Sequence, residues 1–323
     1  MAHKTDRFYN SKWGVFNHYL ASLENKNPDA NAEDWKNKVA KFDVQKVAKQ
    51  LSDIGAKYYF ITVMQGSRFM LAPNATYDRI TGFKPGEACS ERDVIAELIE
   101  EFDKYGIDLY LYYTGDGPHF DEQAGNAMGL YDTYEMINKM GSTDYAVPIT
   151  EEFVKNWTAV LEEYAVRYGK GVKGWWFDGM YDHLGYTQEY IDYYKRAVRK
   201  GNPDAIVAFN NGVKGKDENN WGNGDYISGE SIDFGHIPVA RFKRGAQNHK
   251  LITLGFYGDC PWPEHMAGWG QKNCICTKEF LRAYVKKSNK NGAVITLDIW
   301  VDDDGSFDER QMEWLKYIDS DEE

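Results

Sequence analysis

Cysteine, proline and basic charge are all scarce in this chain, and each shortage excludes a class of protein. Four cysteines, Cys89, Cys260, Cys274 and Cys276, in 323 residues are too few for a disulfide framework. The Cys274-x-Cys276 spacing is shorter than a paired zinc-knuckle pattern, so free thiols are expected and no metal is assigned. Nine prolines and no low-complexity tract give no sign of a disordered linker. No run of 18 apolar residues occurs, which argues against a membrane-spanning helix. The 38 Lys and Arg are outnumbered by 50 Asp and Glu, for a formal net charge of −12. A phosphate backbone is bound by clustered cations that release counterions. The densest cationic stretch, Arg241-Phe242-Lys243-Arg244, reads as a solvated loop face, so nucleic acid is not an expected partner. Neither GxGxxG nor GxxxxGK[ST] follows an apolar run, and no cofactor is expected. Met1-Ala2-His3-Lys4-Thr5-Asp6-Arg7 has no apolar stretch behind its charges; with no signal peptide visible, a cytoplasmic location is the expectation.

What the chain does have is alternation. Short apolar runs cover Trp13 to Tyr19, Lys57 to Val63, Asp108 to Tyr113, Val172 to Asp178, Ala205 to Asn210, Tyr226 to Glu230, Leu251 to Tyr257 and Ala293 to Ile299. Between them lie stretches with apolar positions three and four apart: Asp43 to Ile54, Arg92 to Tyr105, Glu151 to Tyr168, Gln188 to Arg199, Lys278 to Asn291 and Asp308 to Ile318. Helix, glycine and strand recur in that order, as at Ile54-Gly55 and Asn291-Gly292. This predicts an α/β fold, a (β/α)8 barrel of the TIM type, as one domain over residues 1–323, with an open doubly wound sheet as the alternative. The sixth unit is the weakest, because Tyr226 to Glu230 is short and no clear helix separates it from the seventh strand.

In such a barrel the chemistry sits at the C-terminal tips of the strands. Gly174-Trp175-Trp176-Phe177-Asp178-Gly179-Met180 ends an apolar run in a carboxylate, which makes Asp178 the first catalytic candidate. Other polar tips supply Glu230 as a second carboxylate and His18, Tyr113, Trp176, Asn210, Asp298 and Trp300 as substrate-binding candidates. Two carboxylates, a histidine and aromatic walls suit a sugar, whose C–H faces stack and whose glycosidic bond needs two carboxyl groups in different protonation states. Structural roles compete: Asp178 as a cap or ion-pair partner, Glu230 as a salt-bridged loop residue, His18 as a core histidine, Asp298 as an organiser of backbone amides. Asp178, Asp182 and His183 mimic a metal site but lack a third clear ligand.

Five segments, in order and spacing, resemble the α-L-fucosidases of glycoside hydrolase family 29. Trp13-Gly14-Val15-Phe16-Asn17-His18-Tyr19 is similar to that family's W-G-[IL]-F-x-H-[WF]; Phe42-Asp43 to Lys57-Tyr58 to F-D…A-G-A-K-Y; Arg92-Asp93-Val94 to Tyr112-Tyr113 to R-D-V…Y-G…L-Y-Y-S; Tyr168-Gly169 to Gly179 to Y-G…I-W-F-D-G; and Ser288 to Gly305 to S-K-N-G-N-L-L-L-N-I-G-P-x-x-D-G. The resemblance implies a retaining exo-glycosidase for a terminal α-L-fucose-like sugar on an oligo- or polysaccharide, with Asp178 as nucleophile and His18 on the sugar. The family's acid/base has no fixed motif; Glu230 is best placed, and Asp259 and Glu264 compete. Where the family carries K-H-H-D-G-F, this chain reads Val63-Met64-Gln65-Gly66-Ser67-Arg68-Phe69, so Gln65 stands as the binding candidate there. The missing histidine pair supports a second expectation, a degenerate barrel that binds saccharide without cleaving it. The chain ends soon after its eighth helix, leaving no room for the family's usual C-terminal β-sandwich.

Overall fold

Strands that are apolar along their whole length have no face to offer water, and the eight runs accordingly form one parallel sheet covered by helices. The computed structural model describes residues 3–21, 31–130, 149–212, 224–256 and 267–320. Its strands are β1 (Trp13–Asn17), β2 (Tyr58–Thr62), β3 (Asp108–Thr114), β4 (Val172–Asp178), β5 (Ile206–Phe209), β6 (Glu230–Ser231), β9 (His249–Thr253) and β10 (Val294–Asp298). A small antiparallel ribbon, β7 (Phe242–Lys243) with β8 (Ala246–Gln247), follows β6 where a helix would complete the sixth unit. The sheet order β5-β4-β3-β2-β1-β10-β9-β6 is that of a (β/α)8 barrel opened between its fifth and sixth strands. Among the described residues no helix is long and apolar enough to cross a membrane. Cys89, Cys274 and Cys276 are free thiols; Cys260 lies outside the described residues.

The described helices are α1 (Asp6–Ser11), α2 (Ala32–Lys41), α3 (Val44–Ile54), α4 (Ala75–Thr81), α5 (Val94–Asp103), α6 (Glu122–Met128), α7 (Glu151–Tyr168), α8 (Gln188–Gly201), α9 (Lys278–Lys290) and α10 (Glu309–Ile318). Their starts follow from capping. Asp43 accepts the Gln45 and Lys46 N–H groups at 3.0 Å each, so it caps α3 rather than opening it, and Asp93 and Asp308 do the same for α5 and α10. Val47, Ala48, Leu51 and Ile54 then form the buried face of α3.

The expected sixth strand is the main departure. Tyr226 makes a single bridge to Gln247, and regular strand is confined to Glu230–Ser231. Gly229, at φ +66°, interrupts the extended backbone, and a Cβ there would lie 2.2 Å from His249 O, so only glycine fits. The seventh strand also begins earlier than predicted, at His249 instead of Leu251, because the polar His249 and Lys250 are buried in the ladder with β10. The seam between β5 and the Asp225–Glu230 segment is crossed by few bonds. Asp225 N–H donates to Val207 O at 2.8 Å, Val207 N–H donates to Asp225 Oδ2 at 3.0 Å, and the Trp176 indole donates to Ser228 O at 3.0 Å.

Alternation divides the core into two layers. Phe16, Tyr58, Phe60, Tyr110, Tyr112 and Trp176 fill the barrel, while their strand neighbours pack outward against the helices. Phe8 of α1 stops the N-terminal end, its ring 5.0 to 5.4 Å from those of Tyr58, Tyr110, Tyr226 and His249. With that end plugged, the C-terminal strand tips form the open mouth. Phe8→Ala should leave an unfilled space among these rings and lower unfolding free energy by about 3–5 kcal/mol, measured by urea denaturation.

Candidate active site

The strand period of two decides which tip residues meet. In β4, Trp175 and Phe177 belong to the helix-facing layer and Trp176 to the barrel interior, so Asp178 shares the inward register of Trp176. Gly179, at φ +65°, turns the chain immediately afterwards, and a Cβ on it would come 2.8 Å from the Asp116 carboxyl carbon. Asp178 Oδ2 accepts the Tyr112 hydroxyl at 2.6 Å, and its Oδ1 accepts the Asn210 amide at 2.8 Å. The same Asn210 nitrogen donates to Glu230 Oε2 at 2.7 Å. Those two legs together cap the separation of Asp178 Oδ1 and Glu230 Oε2 at about 5.5 Å, below the roughly 6.5–9.5 Å of inverting glycosidases.

Both carboxylates keep some exposure at the mouth, yet protein crowds them closely. Burial raises the Asp178 pKa, and the nearby Asp116 charge adds to the rise; donors from Tyr112, Asn210 and the Gly179 backbone oppose it. Burial, then the charge of Asp178, pushes Glu230 up to about 8, with Asn210 the opposing donor. The donors are unequal, three to Asp178 against one to Glu230, which favours the charged form more at Asp178 than at Glu230.

Around this pair the other predicted residues take differing places. His18 Nδ1 lies 2.8 Å from Asp298 Oδ1, and Asp298, fully buried, accepts the Gly270 N–H at 2.6 Å through Oδ2. Asp298 thus orients His18 and a backbone amide together. Trp176 forms part of the floor, stacked on Tyr112 at 5.4 Å. Gln65 sits half-buried on the loop after β2, where its carbonyl accepts the Ser67 N–H at 2.8 Å. Trp300 lies two residues beyond β10, with Lys272 Nζ 5.0 Å from its ring centre. Tyr113 is a correction: it is fully buried in the helix-facing layer, its hydroxyl donating to Trp157 O at 3.1 Å. Its neighbour Tyr112 holds the place at the mouth. Leu109 and Leu111, on the same strand face as Tyr113, were the available sign that this face is the outer one. Asp182 is engaged with the Asn211 amide at 2.6 Å, and His183 stacks on Tyr181. Asp259 and Glu264 lie outside the described residues.

Trp269 and His119 carry no signal in the sequence, whereas Asp116 follows the polar tip of the third strand. Trp269 packs on the inner aromatic cluster with its ring 6.0 Å from that of His18. Asp116 accepts the Thr114 hydroxyl and lies 3.3 Å from Nδ1 of the buried His119. Trp269 and His119 belong to loops, where no periodicity marks a residue as inward-facing.

A family model described as Alpha-L-fucosidase matches residues 2–320. Among solved structures, an α-L-fucosidase of glycoside hydrolase family 29 from Bacteroides thetaiotaomicron is similar with a TM-score of 0.67 at 17% identity, over 98% of this chain and 73% of that one. The α-L-fucosidase AlfC, solved as a fucosyltransferase mutant, gives 0.65 at 18% identity over 98% of this chain and 96% of the other. An endo-fucoidan hydrolase of glycoside hydrolase family 107 gives 0.65 at 15%, over 96% and 92%. At such identities the likeness is one of fold. Among curated proteins none matches this chain.

The raised pKa of Glu230 has a thermodynamic consequence. A group protonated more readily when folded stabilises the fold below its unfolded pKa of 4.5, and that contribution is lost as pH rises toward about 8. Glu230→Gln, which never ionises, should therefore gain melting temperature over the wild type progressively between pH 4.5 and 8, with little gain at pH 4. Melting curves across that range check the trend; a constant difference would contradict it.

Proposed function

The chain belongs to the α-L-fucosidase family, and from that premise we propose a retaining, exo-acting hydrolysis of a terminal α-L-fucose-like sugar. The observation that supports this reading is the Asp178–Asn210–Glu230 bridge, which holds two carboxylates closer than an inverting pair and surrounds them with unequal numbers of donors. Asp178 attacks the anomeric carbon as Glu230 delivers its proton to the departing glycosidic oxygen. The glycosyl ester that forms no longer bears the Asp178 charge, which is one of the causes keeping the Glu230 pKa high. Its proton delivered and its pKa lowered, Glu230 stays a carboxylate at that stage and takes the proton from the water that cleaves the ester.

The surrounding surface supports a sugar as substrate. Trp269, half-buried above the inner aromatic cluster and beside His18, offers an apolar wall to the C–H faces and methyl group of a 6-deoxyhexose, while His18, fixed by Asp298, offers hydrogen bonding to its hydroxyls. Two carboxylates with divergent proton affinity serve no purpose in a barrel that only binds saccharide, so turnover is the favoured reading.

A panel of aryl α-L-fucosides, galactosides and related glycosides tests it. Release of α-fucose as the first product, followed by proton NMR, is expected, since retention requires it. Asp178→Ala should keep the fold by circular dichroism and lose about a thousandfold or more in kcat, with azide restoring turnover and yielding the β-azide. Undiminished activity in that variant, or β-fucose as the first product, would sink the assignment.

A further inference from the structure

An amide nitrogen carries two hydrogens, and those of Asn210 are both committed to carboxylates, at 2.8 Å on Asp178 and 2.7 Å on Glu230. Turning the amide round would press its oxygen against carboxylate lone pairs, so the chemistry fixes its orientation. That orientation leaves Asn210 Oδ1 buried with no hydrogen-bond partner among the described residues. Buried orphan acceptors are uncommon in folded proteins, and this one is explained by the demand on the nitrogen.

The backbone places Asn210 on one bank of the barrel's seam. Its N–H donates to Phe177 O at 2.7 Å and its carbonyl accepts the Met180 N–H at 3.0 Å, so it is fastened to the chain on both sides of Asp178 and Gly179. Glu230 is on the other bank, in a two-residue strand whose ladder is with β9. The backbone bonds that cross the seam, from Asp225 and Tyr226 N–H to Val207 O, lie further down the strands than the carboxylate pair.

We infer that Asn210 is a positioning residue that sets both the spacing and the proton sharing of the two carboxylates across the open seam of the barrel. This rests on the roles proposed for Asp178 and Glu230. The ionisable groups facing the pair are Tyr112 and Asp116 from the end of β3, which act on Asp178; Asn210 acts on both members. By donating to each carboxylate it favours both charged forms, so its loss should raise the proton affinity of both.

Asn210→Ala and the nearly isosteric Asn210→Asp are compared with wild type in two ways. The first is the pH profile of kcat/KM; the second, independent of turnover, is carbon-13 NMR titration of the carboxyl groups, with Glu230 assigned through Glu230→Gln. In Asn210→Ala, kcat should fall about 10- to 100-fold with KM changed less than about threefold, and both limbs of the profile should move to higher pH. The Glu230 titration should move up from its wild-type position near 8 by about half a unit or more. Asn210→Asp replaces a donor by a third acid, so it should shift the Glu230 titration in the same direction, and it carries the test if the alanine variant does not fold. An unmoved Glu230 titration in a variant with wild-type melting behaviour overturns the inference. Normal turnover in Asp178→Ala would instead overturn the catalytic roles while the NMR titration still decides whether Asn210 couples the pair.

Discussion

Two carboxyl groups within reach of one amide nitrogen, and crowded by protein, cannot both carry charge without a large cost. The mouth of this barrel resolves that conflict by supplying donors unequally. Asp178 receives a phenol, an amide and a backbone N–H, whereas Asn210 is the donor opposing the rise at Glu230. The roles proposed for them, attack by one and proton storage by the other, draw on that difference between two carboxylates in nearly the same place. The difference is made by neighbours, and those neighbours come from strands β3, β4 and β5 and the residues just beyond them.

The fold supplies this arrangement through simple means. Parallel strands alternate their side chains, so Tyr112, Trp176 and Asp178 face inward while Tyr113, Trp175 and Phe177 anchor the same strands to the helices. Phe8 stops one end of the barrel, which leaves the other to the substrate. A left-handed glycine adjoins each carboxylate, Gly179 after Asp178 and Gly229 before Glu230. Both sit where a side chain would strike a neighbour, while Asp178 and Glu230 themselves stay paired in the ladder, opposite Thr114 and Leu251. The seam beside β5 is consistent with the same theme: the sheet is least regular where the chemistry is proposed, and side-chain bonds from Trp176 and Asn210 bridge it.

Most strands were legible because a parallel sheet demands unbroken apolar runs, and β4 falls where its run predicts, as does α7 among the helices. The sixth strand was legible only as a weak one. Its break at Gly229 depends on how close His249 O comes, a contact between residues 20 apart in the chain. Tyr113 was misplaced by one position because both faces of β3 carry tyrosine, so residue type could not tell inside from outside. Asp178, His18 and Asp298 were visible because polar residues ending apolar runs stand out. Trp269 and His119 were invisible because loops carry no period.

The sequence by itself determined the barrel, its order of strands and helices, its family likeness and Asp178 as the leading acidic candidate, with Glu230 one of three for the second acid. Those follow from local pattern: apolar runs, capping residues, glycine stops and short motifs in register. The tertiary structure alone decided that Asp178 and Glu230, 52 positions apart, meet through one amide, and that burial raises the proton affinity of both. Proton affinity depends on distance, burial and hydrogen-bond donors brought from separate strands, and none of these exists until the sheet has curled.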